Sequence, residues 1–333
     1  MKLDADVWCR TLLLIPLLAQ SALTAAWAAE GGAAAYPNRS IRLVVPFPPG
    51  ASPNDIVGRL IGRHITESIG QQIVVDNRAG AGGTIGADVV AKANPDGYTL
   101  LVTSTTLTIS PNVYRKLPYD VDKDLQPVTM IASAPMLIFV NTAVPANTLQ
   151  ELIAYVKARP GQFNFSSGGN GTVPHFAGEL LNFMAKTRMT HVPYKGGAPA
   201  SAAMIGGEVS MYIDTPTAML QFVKQGKIKA LGVAAKQRFA LLPEVPTMEE
   251  AGLPGYEIRV WYGFFVPAKT PRAIVDKLHN ETVRALGTDD VKARLAAIGT
   301  QPAGNGPDEF RPMVQAELQK WAKVARESGI KPE

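Results

Sequence analysis

The chain has 333 residues, 46% of them apolar and 18% charged, which is the composition of a folded globular protein with room for two domains and excludes a disordered one. Its net charge of +5 is spread without a run of like charge and without basic stretches interleaved with aromatics. That pattern is a solvated surface and argues against nucleic acid as a partner.

The first element is an apolar run, Thr11–Leu23 (TLLLIPLLAQSAL), followed by Ala26 and Ala28 in the spacing of an A-x-A cleavage site. Residues 1–28 read as a secretory signal peptide, because the run contains Pro16 and falls short of the roughly 20 residues that span a bilayer. Cleavage after Ala28 would remove Cys9, the only cysteine. The mature chain would then have no disulfide, thiolate metal site or cysteine nucleophile, as suits an exported protein.

From Ser40 onward, short β-rich runs alternate with helical periodicity. IRLVVPF is a strand, and it stops at "VVPFPPGASPND", Val44–Asp55, where prolines and a glycine lead into a helix over Asn54–Ile69. Ser52 as N-cap, Pro53 and Asp55 predict a capping box, with Gly70 closing the far end. A helix start of this kind holds an anion through backbone N–H groups, and no Lys or Arg lies in the stretch. QIVVDN is the next strand. It is followed by RAGAGGTIGAD, Arg78–Asp88, whose third glycine comes one place late for a dinucleotide fingerprint. The strand YTLLVTS ends without an acidic residue for a ribose, so a tight loop is expected there and no cofactor. Ser104, Thr105 and Thr106 at its end are candidates to offer hydroxyls to a ligand.

The strand MLIFVN precedes a helix over Leu149–Ala158, which Thr148 and Glu151 cap. FNFSS then runs through Gly168, Gly169, Asn170, Gly171 and Thr172 into a helix over Pro174–Ala185. This is a second strand, glycine turn and helix start without a cation. Two such loops predict a clamp on one small carboxylate, since phosphate sites more often recruit Lys or Arg. MTHVPY, a helix over Pro199–Ile205, VSMYID, a helix over Thr217–Gln225 and IKALGVAA follow, and Thr247 with Glu250 forms a further capping pair. After Val260 the chain returns to helices at Pro271–Leu286, Asp289–Ile298 and Asp308–Ser328.

The pattern is α/β with mostly parallel sheet. The late helices, after a middle block that is itself a complete α/β unit, predict two lobes joined by a two-strand hinge with an interlobe cleft. The crossings fall in Val128–Val140 and Tyr256–Val266. The boundaries are 36–134 for the first part of lobe one, 135–256 for lobe two and 257–333 for the second part of lobe one. The four histidines show no metal-ligand spacing, and no GxSxG or HExxH is present, so neither a metal nor an enzyme is expected. The alternative is a secreted hydrolase with Ser52, His175 and Asp214 as its triad.

VPFPPG, then IVVDNRAGAGGTIGADVVAKANPDGYTLL, FNFSSGGNGT, HVPYKGGAPA and LPEVPTMEEAGLPGYE, in that order, closely resemble the Bug family, the solute-binding components of tripartite tricarboxylate transporters. The resemblance implies a monomeric periplasmic binding protein of type II-like fold. It would close on an organic acid and deliver it to transporter membrane subunits. Carried over by position, it points to Phe47, Ala51 and Ser52 in lobe one, and to Gly169, Asn170, Thr172 and Asp214 in lobe two. Ala51 stands where the family often has glycine. Asp55 and Asp214 would repel a carboxylate unless they face away or meet a ligand's ammonium or hydroxyl group, so a dicarboxylate, an amino acid and an aromatic acid all remain open.

Overall fold

A computed structural model describes residues 36–50, 52–330 and 332, so the signal-peptide segment and Ala51 lie outside the described residues. Tyr36–Arg39 are irregular, and Ser40–Glu333 form one unit.

The unit starts with β1 (Ile41–Val45), whose Ile41, Leu43, Val44 and Val45 are wholly buried, as expected of a central strand covered on both faces. Helix α1 (Pro53–Ile69) buries Val57, Leu60, Ile61 and Ile65, the stripe expected from its periodicity. Then come β2 (Ile73–Asn77), α2 (Thr84–Ala91), β3 (Thr99–Ser104), β4 (Leu125–Pro135) and β5 (Leu137–Asn141). The middle block holds α3 (Leu149–Lys157), β6 (Asn164–Ser167), α4 (Val173–Ala185), β7 (Thr190–Pro193), α5 (Gly197–Gly206), β8 (Met211–Asp214) and β9 (Ile228–Val233). The chain ends through β10 (Arg259–Pro267), α6 (Arg272–Leu286), α7 (Asp289–Ala297), β11 (Gln301–Asn305) and α8 (Pro307–Glu327).

One sheet has the strand order β11-β4-β10-β3-β1-β2 and the other β7-β6-β8-β5-β9. Each lobe is built on one of them. The expectation of mostly parallel sheet fails. Strand β1 is parallel to β2 and β3, and β6 to β7 and β8, but the pairings of β10, β11 and β5 are antiparallel. The cause is the hinge. The chain leaves the first sheet along β4 and enters the second along β5, then returns along β10, which must run against β4.

Both crossings fall inside the windows read from the sequence. Met136 N–H donates to the Ile258 carbonyl at 3.2 Å, Ala234 N–H to the Met136 carbonyl at 2.8 Å and Ile258 N–H to the Ala234 carbonyl at 3.0 Å. The two crossing segments are thus tied to each other through Ala234.

Helix α8 touches both lobes. Near its start the wholly buried Phe310 meets Trp261 edge-on with ring centroids 5.1 Å apart, in the core of the first sheet. Three to four turns later the wholly buried Trp321 meets Phe176 of α4 at 6.0 Å and 87°.

The capping expectations divide. Thr148 Oγ1 accepts from Glu151 N–H at 3.1 Å, and Thr247 with Glu250 makes the full reciprocal box at 3.1 and 2.8 Å. Ser52 has N-cap backbone angles but makes no capping hydrogen bond.

Candidate functional site

A cavity of about 420 Å³ lies where strand ends of the two sheets face each other. Phe47 after β1, Ser104 ending β3 and Tyr262 of β10 reach it from lobe one. Gly168 after β6 and Asp214 ending β8 reach it from lobe two.

On the lobe-one side the wall includes Phe47, Pro48, Pro49, Ser52, Pro53 and Asn54, from the turn between β1 and α1. Asp55 does not complete a capping box. Its buried carboxylate turns back to accept from Gly50 N–H at 2.9 Å, Asn77 Nδ2 at 2.8 Å and Arg59 Nε at 2.9 Å. Burial pushes the Asp55 carboxyl up, but hydrogen bonds from Arg59, Asn77 and Gly50 outweigh it and hold the group below the usual aspartate range. Asp55 is therefore an internal brace of the turn and not part of the wall. Asn54, which sequence reasoning missed, has its Oδ1 buried without a hydrogen-bond partner. Such an atom is costly unless a donor reaches it. Ser104 lines the cavity, its hydroxyl 3.3 Å from that of Thr106, which lines it too. Thr105 does not: it is wholly buried, and its Oγ1 accepts from Trp261 N–H at 3.1 Å.

The lobe-two loop divides in the same way. Gly168 and Thr172 line the cavity, whereas Gly169 and Asn170 do not. Gly169 has φ 123°, and a Cβ there would stand 3.3 Å from the Tyr194 carbonyl, so the turn requires glycine. Its carbonyl accepts from the Thr172 hydroxyl at 2.7 Å. Asn170 and Gly171 point at lobe one instead. A Cβ at Gly82 would be 3.2 Å from the Asn170 carbonyl, and one at Gly171 3.1 Å from Val113.

Behind the loop, His175 Nδ1 accepts from Gly171 N–H at 3.2 Å and its ring stacks on His191 at 4.0 Å. Burial, and then the neighbouring His175, hold the His191 ring down to about 3, so it is neutral in ordinary buffers. His175 is thus off the cavity wall, and Ser52, His175 and Asp214 are not brought together as a triad. Among the described residues no group of three or more His, Cys, Asp or Glu could hold a metal ion.

The largest omission is the segment Lys195–Pro199 with Ser201, which opens α5 and forms much of the lobe-two wall. Its signal was present in HVPYKGGAPA, another strand running through glycines into a helix. Gly196 has φ 114°, and a Cβ on Gly197 would meet the Tyr212 hydroxyl at 3.3 Å and Asp214 Oδ2 at 4.0 Å. Lys195 is the only cationic side chain on the described wall and Asp214 the only acidic one.

Asp214 is held by the Tyr212 hydroxyl, which donates to Oδ2, and by Thr215 N–H, which donates to Oδ1 at 2.7 Å. Burial still pushes its carboxyl up to about 6, above the ordinary 3.8, against the lowering effect of those hydrogen bonds. A raised folded-state pKa means the folded chain holds the proton longer than the unfolded chain. Stability contributed by this group is therefore full below about pH 4 and declines as pH rises to about 6. Asp214→Asn is expected to remove that slope: urea melts of the variant and the parent should diverge across this window, and parallel curves would show that Asp214 does not titrate there.

Two α/β lobes, a double-strand hinge and a cavity walled by strand ends and helix starts define a solute-binding receptor of the periplasmic binding protein class. A family model described as tripartite tricarboxylate transporter family receptor matches residues 57–330, and the chain belongs to that family. A Pseudomonas sp. protein of the tcbD-tcbE intergenic region is 41% identical over 87% of this chain and 86% of its own. BugT of Bordetella pertussis is 37% identical over 92% and 95%. Among solved structures, an R. palustris protein with adipate superposes with a TM-score of 0.84 at 36% identity, covering 90% of this chain and all of that one. MatC from Rhodopseudomonas palustris with bound malate gives 0.81 at 36%, covering 87% of this chain and all of that one.

Proposed function

We propose that this receptor works in the periplasm as a monomer, exported by the signal peptide at residues 1–28. There it captures a small organic carboxylate without turning it over and hands it to the membrane subunits of a tripartite tricarboxylate transporter. The observation that carries this is the cavity itself: three helix starts, those of α1, α4 and α5, open onto one space bounded by both lobes. That adipate and malate occupy two structural neighbours of the same family supports the choice of a carboxylate. Among the described residues no helix is long and apolar enough to cross a membrane.

In this reading the lobes are 36–134 with 257–333, and 135–256. The Ser52 hydroxyl and Asn54 Nδ2 donate to the carboxylate, together with first-turn N–H groups of α1, which lack intrahelical partners. Phe47 packs on the ligand body, and Ser104, Thr172 and Asp214 border it. Gly169 and Asn170 act at one remove, by shaping the contact between the lobes. Ala51 lies outside the described residues.

A thermal-shift screen tests the reading, because a ligand at a hundredfold excess over its dissociation constant stabilises the folded state by about 2.7 kcal/mol. Carboxylates are expected to raise the melting temperature, and a screen in which only sugars or cations do so would overturn it. Ser52→Ala then refines the site. Its hydroxyl makes no capping bond, so helix stability should fall by less than about 0.5 kcal/mol, while ligand affinity drops by about 0.5–1.5 kcal/mol. A stability loss without an affinity loss would remove Ser52 from the site.

A further inference from the structure

We infer that the cavity selects a monocarboxylate with a single ring-sized apolar body over di- and tricarboxylates, an inference that rests on the carboxylate reading above. The first observation is the wall. Pro48, Pro49 and Pro53 from lobe one face Pro174 and Pro199 from lobe two. Proline has no N–H, so these positions offer flat carbon surface and no donor to a second carboxylate. Phe47, Tyr212 and Tyr262 add aromatic rings. The polar end of Tyr212 is engaged inside the protein, its hydroxyl donating to Asp214. What Tyr212 can offer a ligand is ring surface, which favours another ring or a compact hydrocarbon.

The second observation is charge. The wall carries Lys195 and Asp214 and no arginine. One ligand carboxylate can be placed at the start of α1 or beside Lys195. With one held at the start of α1, a second would reach Lys195 and the start of α5, where a Cβ on Gly197 would stand 4.0 Å from Asp214 Oδ2, so that like charge opposes it. The third is size: about 420 Å³ lies low in the range of small-molecule pockets and suits one ring with its carboxylate.

The experiment is isothermal titration of the purified protein with benzoate, cyclohexanecarboxylate, succinate, adipate and citrate, at one pH and ionic strength, beside melting curves. Both ring acids are expected to bind at least tenfold more tightly than succinate or adipate, with citrate weakest. In Asp214→Asn, which removes the repelling charge but keeps an acceptor for Tyr212, the preference for benzoate over adipate should shrink by about fivefold or more. A dicarboxylate or citrate that binds as tightly as the ring acids would overturn the inference and leave the carboxylate reading in place. A preference unchanged in Asp214→Asn would also overturn it, because the charge argument would be wrong. If none of the five acids binds, the carboxylate reading fails and the inference falls with it.

Discussion

Gly197→Leu is expected to weaken ligand binding by at least a hundredfold, about 2.7 kcal/mol, while the melting temperature moves by only a few degrees. Gly197 is the first residue of α5 and lies on the cavity wall. A Cβ there crowds the Tyr212 hydroxyl at 3.3 Å, and the rest of a leucine side chain can extend only into the space the ligand needs. Gly196→Leu is the matched control. A Cβ at Gly196 meets nothing within 4 Å, but its φ of 114° is one that leucine adopts at a cost of about 1–3 kcal/mol. Gly196 lines the cavity too, so stability is what separates the two: Gly197→Leu should lose affinity at near-parental stability, whereas Gly196→Leu should lose stability. Calorimetric titration beside thermal melts reads both, and parental affinity in Gly197→Leu would show that the ligand does not lie against α5.

Trp321→Ala should be the most damaging single truncation for stability, at about 3–5 kcal/mol, or on the order of 10 °C in melting temperature. The indole is wholly buried, its Nε1–H donates to Glu317 at 2.6 Å and its ring meets Phe176 of the other lobe. Trp321→Phe keeps an edge-to-face contact and should recover more than half of the loss. Chemical denaturation measures both variants; a cost below about 1 kcal/mol for the alanine would mean that α8 does not bind the lobes together.

Much of this architecture can be read from the sequence because its elements are locally consistent. IRLVV is apolar on both faces, and Val57, Leu60, Ile61 and Ile65 recur at helical spacing, so β1 and α1 follow from periodicity alone. The hinge windows follow from the return to helices after Val260. Strand direction does not follow, because it depends on how the chain re-enters the first sheet. Nor does β11, whose QPAGN carries proline and glycine and is held by its neighbour rather than by propensity.

At the site, composition marked the two glycine turns but could not tell which side of each faced the ligand. Ser104 ends β3 and Thr105 begins the helical turn after it, so the change of backbone direction leaves one at the cavity and turns the other inward to Trp261. Asp55 stands three places after Ser52 as a capping partner should, yet Gly50 and Arg59 on either side of it and the distant Asn77 of β2 converge on it instead. HVPYKGGAPA carried the same strand, glycine and helix grammar as the other two loops, and it contributes more of the wall than SSGGNGT does.

The order of strands has a mechanical corollary. In the first sheet β2 stands three places from the returning strand β10, and in the second β6 stands two places from β5. At about 4.8 Å per strand, the contact between Gly82 and Asn170 therefore lies at the end of a lever about 10–14 Å long, whose fulcrum is the bonded trio Met136, Ala234 and Ile258. A rotation of about 15°, common for rigid bodies in proteins, would part the tips by roughly 3–4 Å. Tyr262 and Asp214 belong to strands at or beside the fulcrum and would hardly shift. The deep end of the cavity thus keeps nearly one geometry through the stroke, and admission is governed at the far tips.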